Sequence, residues 1–244
     1  MLARPIALAL LLVACAPPAP ATERLQARFE RAHLTYPPRR VHIAIYKSER
    51  ELELWASNVA RGPYTRVHRY RICGLSGDVG PKRRQGDRQA PEGFYFVDRF
   101  NPHSRHVVSL GLSYPNDADR AASRARRLGG DIFIHGGCSS AGCFAVGDRA
   151  TEEIYSAALA AREAGQDRID VHVYPARLTP RRFARLVRER PRHRAFWASL
   201  RPAYDRFQRT HEPAPISIDA RGRYLIATSP SDDVEATARY RRRP

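Results

Sequence analysis

Val41, Ile43 and Ile45 alternate with His42, Ala44 and Tyr46, and after Lys47-Ser48-Glu49-Arg50 the alternation resumes from Glu51 to Trp55. A period of two on either side of a short polar turn predicts a β-hairpin. Further strands are predicted at residues 67–73, 94–100, 106–112, 131–135 and 169–174. Helical spacing appears at residues 22–34 (Leu25, Phe29, Ala32) and at 148–165 (Ile154, Ala158, Ala161), the latter with Asp148 as its cap. Thr179-Pro180 starts another helix with Phe183, Leu186 and Val187 on one face, ending before Pro191. Residues 193–201 continue helically with Phe196, Trp197 and Leu200, and Pro202 is expected to break or kink that helix ahead of Tyr204 and Phe207. Residues 216–219 and 223–227, around Ala220-Arg221-Gly222, predict a second hairpin. The pattern is mainly β with a few helices, an α+β chain without internal repeats.

Two stretches depart from this rhythm. Residues 74–93 form a long loop rich in glycine, proline and charge, and in a compact domain such loops more often serve function than idle. The second is the run Ile132-Phe133-Ile134-His135-Gly136-Gly137-Cys138-Ser139-Ser140-Ala141-Gly142-Cys143. A buried strand delivers His135, and small residues then let the backbone turn sharply and present its N–H groups. A thiol, an imidazole and open amides within nine residues are the parts of a cysteine acyl-transfer site.

Cys143 is the candidate nucleophile, because a thiol attacks as thiolate and needs a neighbouring base. His135 is the only imidazole in the stretch. Gly142 and Cys143 N–H groups are candidate oxyanion donors, Gly136 opens the turn, and Ser140 is expected to hydrogen-bond locally or to orient His135. The plainer alternatives are a packed histidine and an inert cysteine. A zinc reading of His135, Cys138 and Cys143 lacks a fourth ligand at useful spacing. A phosphate loop fails too, since Gly136-Gly137 is not followed by G-K-[ST]. His42, His68 and His172 are read as surface or packing residues, while His103 and His106 are candidates to line the cleft.

The core Ile134-His135-Gly136-x-Cys138-x-Ser140-x-Gly142-Cys143-x-Ala145 resembles the L,D-transpeptidase (YkuD-type) catalytic domain. Gly80-Pro81-Lys82, Gln85-Gly86-Asp87, Ala90-Pro91-Glu92-Gly93-Phe94-Tyr95, Asn101-Pro102, Ser109-Leu110 and Tyr114-Pro115-Asn116 fit the same family in the same order. The resemblance implies a β-sandwich-like catalytic fold, with Cys143 as nucleophile and His135 as base. It also implies peptidoglycan stem peptides as substrate and no cofactor or metal. Acylation of the thiol is common to transfer and hydrolysis, so a hydrolytic amidase or carboxypeptidase on wall or lipoprotein linkages stays open. An envelope protein could be the acceptor or substrate. Stem-peptide carboxylates suit guanidinium and ammonium partners, which makes Lys82, Arg83 and Arg84 candidate substrate-binding residues; a solvated loop tip is the alternative.

Charge changes the picture at both ends. The formal net charge is +17, and Lys47 and Lys82 are the only lysines. Residues 176–244 hold 17 arginines against seven acids. Such a surface could meet nucleic acid, acidic lipid or the anionic wall, or be simply solvated. A non-catalytic, wall-binding envelope lipoprotein is therefore a second function class. Nucleic acid is disfavoured by the N-terminus, where Arg4 precedes a short apolar run ending Leu12-Val13-Ala14-Cys15. That run is too short to span a bilayer and suits a signal peptide. Its end resembles a lipobox, which would make Cys15 the site of lipid attachment and place the protein in the periplasm or cell envelope. Of the other cysteines, Cys73 is read as a small buried hydrophobe, and a Cys138–Cys143 disulfide is the alternative that would silence the nucleophile. The expected organisation is a signal peptide at 1–15, a tether and lead-in helix at 16–40, a catalytic domain at 41–175, and a basic accessory region with a disordered tail at 176–244.

Overall fold

The structure is a computed structural model and describes residues 19–227. The expectations for the lipobox and for the terminal tail lie outside the described residues. Among the described residues no helix is long and apolar enough to cross a membrane.

Helix α1 (Ala21–Arg31) buries Leu25 and Phe29 and leads into the predicted hairpin, β1 (Arg40–Tyr46) and β2 (Glu51–Ser57). The pairing runs in one register from Arg40 opposite Ser57 to Tyr46 opposite Glu51. Strands β3 (Thr65–Arg71), β4 (Gly74–Leu75), β5 (Gly93–Ser104) and β6 (Val107–Leu112) follow. Then come α2 (Asp117–Ala122), β7 (Phe133–His135), β8 (Phe144–Ala145), α3 (Asp148–Glu163) and β9 (Asp170–Tyr174). The chain ends in α4 (Pro180–Glu189), α5 (Arg194–Thr210) and the hairpin β10 (Ile216–Ile218) and β11 (Tyr224–Ile226). The strand order in the main sheet is β3-β2-β1-β9-β5-β6-β7-β8-β4. Strand β5 pairs with β9 through Gly93–Phe96 and with β6 from Val97 onward. It therefore belongs to both halves of a curled sheet, which realises the α+β expectation.

The alternation in β1 is apolar on both faces rather than apolar against water. Val41, Ile43 and Ile45 join a core with Leu25, Phe29, Ile154, Ala157 and Ala158 of the two helices on one side. Ala44 and Tyr46 face the other way and pack with Tyr174, Trp197, Leu200 and Tyr204. His42 and His172 are packing residues in this second layer, with ring centroids 4.6 Å apart. Helix α5 is thus a structural lid on the sheet. It continues through Pro202 to Thr210, correcting the expected break. A proline removes the bond to the carbonyl four residues back, here that of exposed Ala198, which water can satisfy. Trp197 and Leu200 before Pro202, and Tyr204 and Phe207 after it, stay buried on one continuous face.

One buried ion pair ties these layers to the long loop. Lys47, in the β1–β2 turn, lies 3.0 Å from Glu92, with both side chains essentially inaccessible to water. The Lys47 ammonium also donates to the carbonyls of Gly80 and Ala90, each at 2.8 Å. Glu92 accepts from Gly80 N–H at 2.5 Å and from Trp197 Nε1–H at 2.8 Å. Burial pulls the Lys47 ammonium down, and Glu92 opposes the shift.

Glu92→Ala strands the ammonium and the indole, and it should lower the unfolding free energy by about 3–5 kcal/mol, read by urea titration. A Lys47→Met/Glu92→Met double variant should lose less, because no uncompensated charge stays buried. Equal losses in the two variants would show that the pair is not what holds the loop.

Candidate active site

His135 ends β7 and Cys143 immediately precedes β8, and these strands run parallel with Ile134 opposite Phe144 and His135 opposite Ala145. Parallel neighbours ordinarily need a long crossover. Here residues 136–143 alone make the return, and their small side chains make it possible. The turn is pinned at several points. Gly137 N–H donates to Asp148 Oδ1 at 2.7 Å, and Gly147 N–H donates back to the Gly137 carbonyl at 3.0 Å. Val146 N–H donates to the His135 carbonyl at 3.0 Å. A β-carbon at position 136 would overlap the Asp148 carboxylate and the His106 carbonyl. Asp148 is the first residue of α3 rather than its expected cap, which is Gly147 without a side-chain bond, and its carboxylate holds the turn instead.

The fourth constraint is covalent. Cys73 and Cys138 form a disulfide, leaving Cys143 free. This corrects the reading of Cys73 as a lone packing residue and removes the Cys138–Cys143 bridge. The cause is topological: β4 pairs with β8, Gly74 opposite Ala145, which brings Cys73 against the turn. An odd thiol count implied one free cysteine, but no spacing rule chose which. Cys138 is also lost as a metal ligand, and among the described residues no group of three or more His, Cys, Asp or Glu side chains is disposed to hold a metal ion.

The free thiol sits against the edge of β7. Phe133 N–H donates to Cys143 Sγ at 3.4 Å, and the thiol donates to the Asp131 carbonyl at 3.5 Å. Burial raises the thiol's pKa, the Phe133 amide opposes that, Asp131 adds to it, and the positive charge of Lys82 opposes it. His135 is 7% exposed and its Nδ1 lies 2.6 Å from the Gly136 carbonyl. That contact places the proton on Nδ1 and leaves the lone pair on Nε2. Burial lowers the imidazole pKa, the Gly136 carbonyl opposes the shift, and His106 adds to it, its ring stacked at 4.8 Å. Both shifts favour a resting pair of neutral thiol and neutral imidazole. Thiol and ring share no hydrogen bond in this resting arrangement; the thiol proton points to Asp131.

Ser140 Oγ accepts from Gly142 N–H at 3.3 Å and donates to the Cys143 carbonyl at 2.8 Å. It fixes the backbone on both sides of the nucleophile rather than touching His135. Gly142 has φ +128°, a conformation side chains disfavour, and a β-carbon there would stand in ordinary contact with the Gln89 carbonyl and Ile132. Of the loop cations, Lys82 is buried and pairs with Asp87 at 2.5 Å, while Asp87 also accepts from the Arg83, Arg84 and Gln89 amides. Arg83 lies over the Phe196 ring and 3.6 Å from Asp119. Arg84 alone of the three points to solvent. An apolar hollow lined by Phe94, Phe96, Ile218 and Tyr224 is a separate feature that neither His135 nor Cys143 lines.

Because the resting pair is neutral, alkylation of Cys143 by iodoacetamide should be slow at pH 7 and keep rising above the ordinary thiol value of about 8.5. A reactivity plateau starting below pH 7 would instead mean a thiolate–imidazolium pair. The Cys73→Ala/Cys138→Ala variant should lose about 2–4 kcal/mol of stability, read by thermal unfolding, and wild type plus reductant should approach the same midpoint.

Residues 40–172 match the YkuD family, the L,D-transpeptidase catalytic domain. The chain is 36% identical over 196 residues to an Escherichia coli K12 protein carrying the name "Putative L,D-transpeptidase YafK", covering 80% of this chain and 76% of that one. Among solved structures, the helical cell shape determining protein Pgp2 of Campylobacter jejuni is 20% identical, with a TM-score of 0.44 over 56% of this chain and 48% of that one. Bd1075 of Bdellovibrio bacteriovorus is 18% identical, with a TM-score of 0.41 over 58% and 50%. The chain spans about half the length of these two structures. Through the family match and the relative from E. coli, with His135 at the end of β7 and Cys143 just before β8 inside the matched segment, the chain belongs to the L,D-transpeptidase catalytic-domain family.

Proposed function

We propose that the protein is an exported enzyme that uses Cys143 to take an acyl group from a peptidoglycan stem peptide and passes it to an acceptor. The observation that carries the reading is a free, half-buried thiol held against β7, the strand that ends in His135, whose Nδ1 is tied to the Gly136 carbonyl. Rotation of the thiol away from Asp131 brings its proton toward His135 Nε2. The sulfur then attacks the substrate carbonyl as His135 accepts the proton. Charge develops on the carbonyl oxygen beside the turn, where Cys143 N–H would serve as a donor and Gly142 N–H can exchange its 3.3 Å bond to Ser140 for a shorter one to the oxyanion.

Collapse of the intermediate breaks the C–N bond, and His135 returns its proton to the departing amine. The product is a thioester on Cys143. An amine from a second stem then gives a crosslink, or water gives a trimmed stem. The proton cycle at His135 is the same in both cases. Lys82 organises the loop beside the site by holding Asp87, and Arg84 is the loop cation free to meet a substrate carboxylate. Residues 1–15, with Cys15 as lipid attachment, would deliver the enzyme to the envelope, and the residues between Cys15 and α1 would form the tether, since Leu25 and Phe29 of α1 belong to the domain core.

The purified chain is to be incubated with tetrapeptide-rich muropeptides and analysed by mass spectrometry beside Cys143→Ser. Crosslinked products that vanish in the variant are the expected result, and trimmed monomers alone would identify hydrolysis. His135→Asn should cut turnover by about 100-fold or more. Product formation by Cys143→Ser at the wild-type rate would overturn the reading.

A further inference from the structure

The segment between α2 and β7 carries a concentration of charge that the chemistry above does not use. Residues 123–130 read Ser-Arg-Ala-Arg-Arg-Leu-Gly-Gly and run without regular structure to the strand beneath the nucleophile. They lie against residues 83–89 of the long loop: Gln85 N–H donates to the Arg127 carbonyl at 2.9 Å, and Ser123 Oγ–H donates to the Arg83 carbonyl at 2.6 Å. The two segments form one ledge bearing Arg84, Arg88, Arg124, Arg126 and Arg127, all exposed. None of the five guanidinium groups makes a hydrogen bond or ion pair among the described residues, whereas most arginines elsewhere on the fold, such as Arg24, Arg28, Arg177 and Arg190, are paired. The ledge's one acid, Asp87, is consumed by Lys82 and three amides.

Both ends of the ledge reach the nucleophile. Residues 123–130 continue into Asp131, whose carbonyl receives the Cys143 thiol. Residues 83–89 end at Gln89, whose carbonyl would lie 3.6 Å from a β-carbon at position 142. The five guanidinium groups are therefore carried on two segments that end at the nucleophile.

We infer that the ledge is a binding surface for a carboxylate-rich polymer, the stems neighbouring the one that reacts in peptidoglycan. It rests on the proposed function and extends it from a single stem to the assembled wall. Guanidinium groups suit this ligand because each can take a carboxylate through two parallel hydrogen bonds. An array tolerates irregular spacing of carboxylates that one deep pocket would not. Each exposed contact is weak, so the surface works by number and is sensitive to salt.

The test is sedimentation of the full chain with intact sacculi, in a Cys143→Ala background so that turnover plays no part. Replacing the five ledge arginines by glutamine should weaken binding on the order of tenfold and flatten its salt dependence. The same loss of five charges on the two C-terminal helices, with Arg181, Arg185, Arg188, Arg194 and Arg209 each replaced by glutamine, should leave binding within about twofold. Blocking sacculus carboxylates by amidation should remove the difference between the Cys143→Ala protein and its ledge variant. Equal weakening by the two arginine sets would overturn the inference, since net charge alone would then explain binding. So would ledge-dependent binding to vesicles of anionic phospholipid as strong as that to sacculi. Ledge-dependent sacculus binding by a chain that makes no product from muropeptides would keep the surface and sink the enzymatic reading instead.

Discussion

A lysine and a glutamate buried against each other hold the parts of this molecule in register. The cost of removing two charges from water is recovered only if every remaining hydrogen-bonding position is filled. Here Lys47 draws in the carbonyls of Gly80 and Ala90, and Glu92 draws in the Gly80 amide and the Trp197 indole. Those partners come from the first hairpin, the long loop and the C-terminal helix. The loop carrying Lys82 and Gln89 to the side of the nucleophile cannot shift without undoing a bond in this set. Helix α5, outside the family-matched segment, is for the same reason part of what positions the site.

The site shows a second economy of constraint. His135 ends one strand and Cys143 immediately precedes its parallel neighbour, the two joined by a minimal turn that is fastened by a disulfide, a carboxylate and a serine. Burial disfavours charge on both the thiol and the imidazole, so an ion pair between them would need compensating polarity from outside the chain. The resting contact of the thiol with Asp131 keeps the nucleophile protonated and the imidazole lone pair open.

Much of this was legible from residue order. The hairpin, α3, α4 and the second hairpin announce themselves through periodicity, a threonine cap and proline placement, and the run from His135 to Cys143 through its run of small residues. What was not legible depends on contacts distant in sequence. Cys73 had no local signal pointing to Cys138, because their meeting is set by a two-residue strand pair too short to read. Asp148 looked like a helix cap and proved instead to be an anchor for Gly137. Pro202 carried a local break signal that was overruled by Trp197, Leu200, Tyr204 and Phe207 packing on one face. The outward-looking half of β1 turned out to be covered, since a helix 150 residues later packs on it.

The sulfur pairing also poses a problem of selection when the chain first folds. Cys138 has Cys143 five positions away and its native partner 65 positions away. Ring closure in a disordered chain favours the nearer thiol, so an unstructured chain meeting an oxidant would trap its own nucleophile. The correct bridge becomes the near one only after β4 has docked beside β8 and carried Cys73 to the turn. Docking of β4 beside β8 is thus what selects the native bridge, whether it precedes oxidation or redirects it by thiol–disulfide exchange, and the sheet edge acts as a template that leaves the Cys143 thiol free.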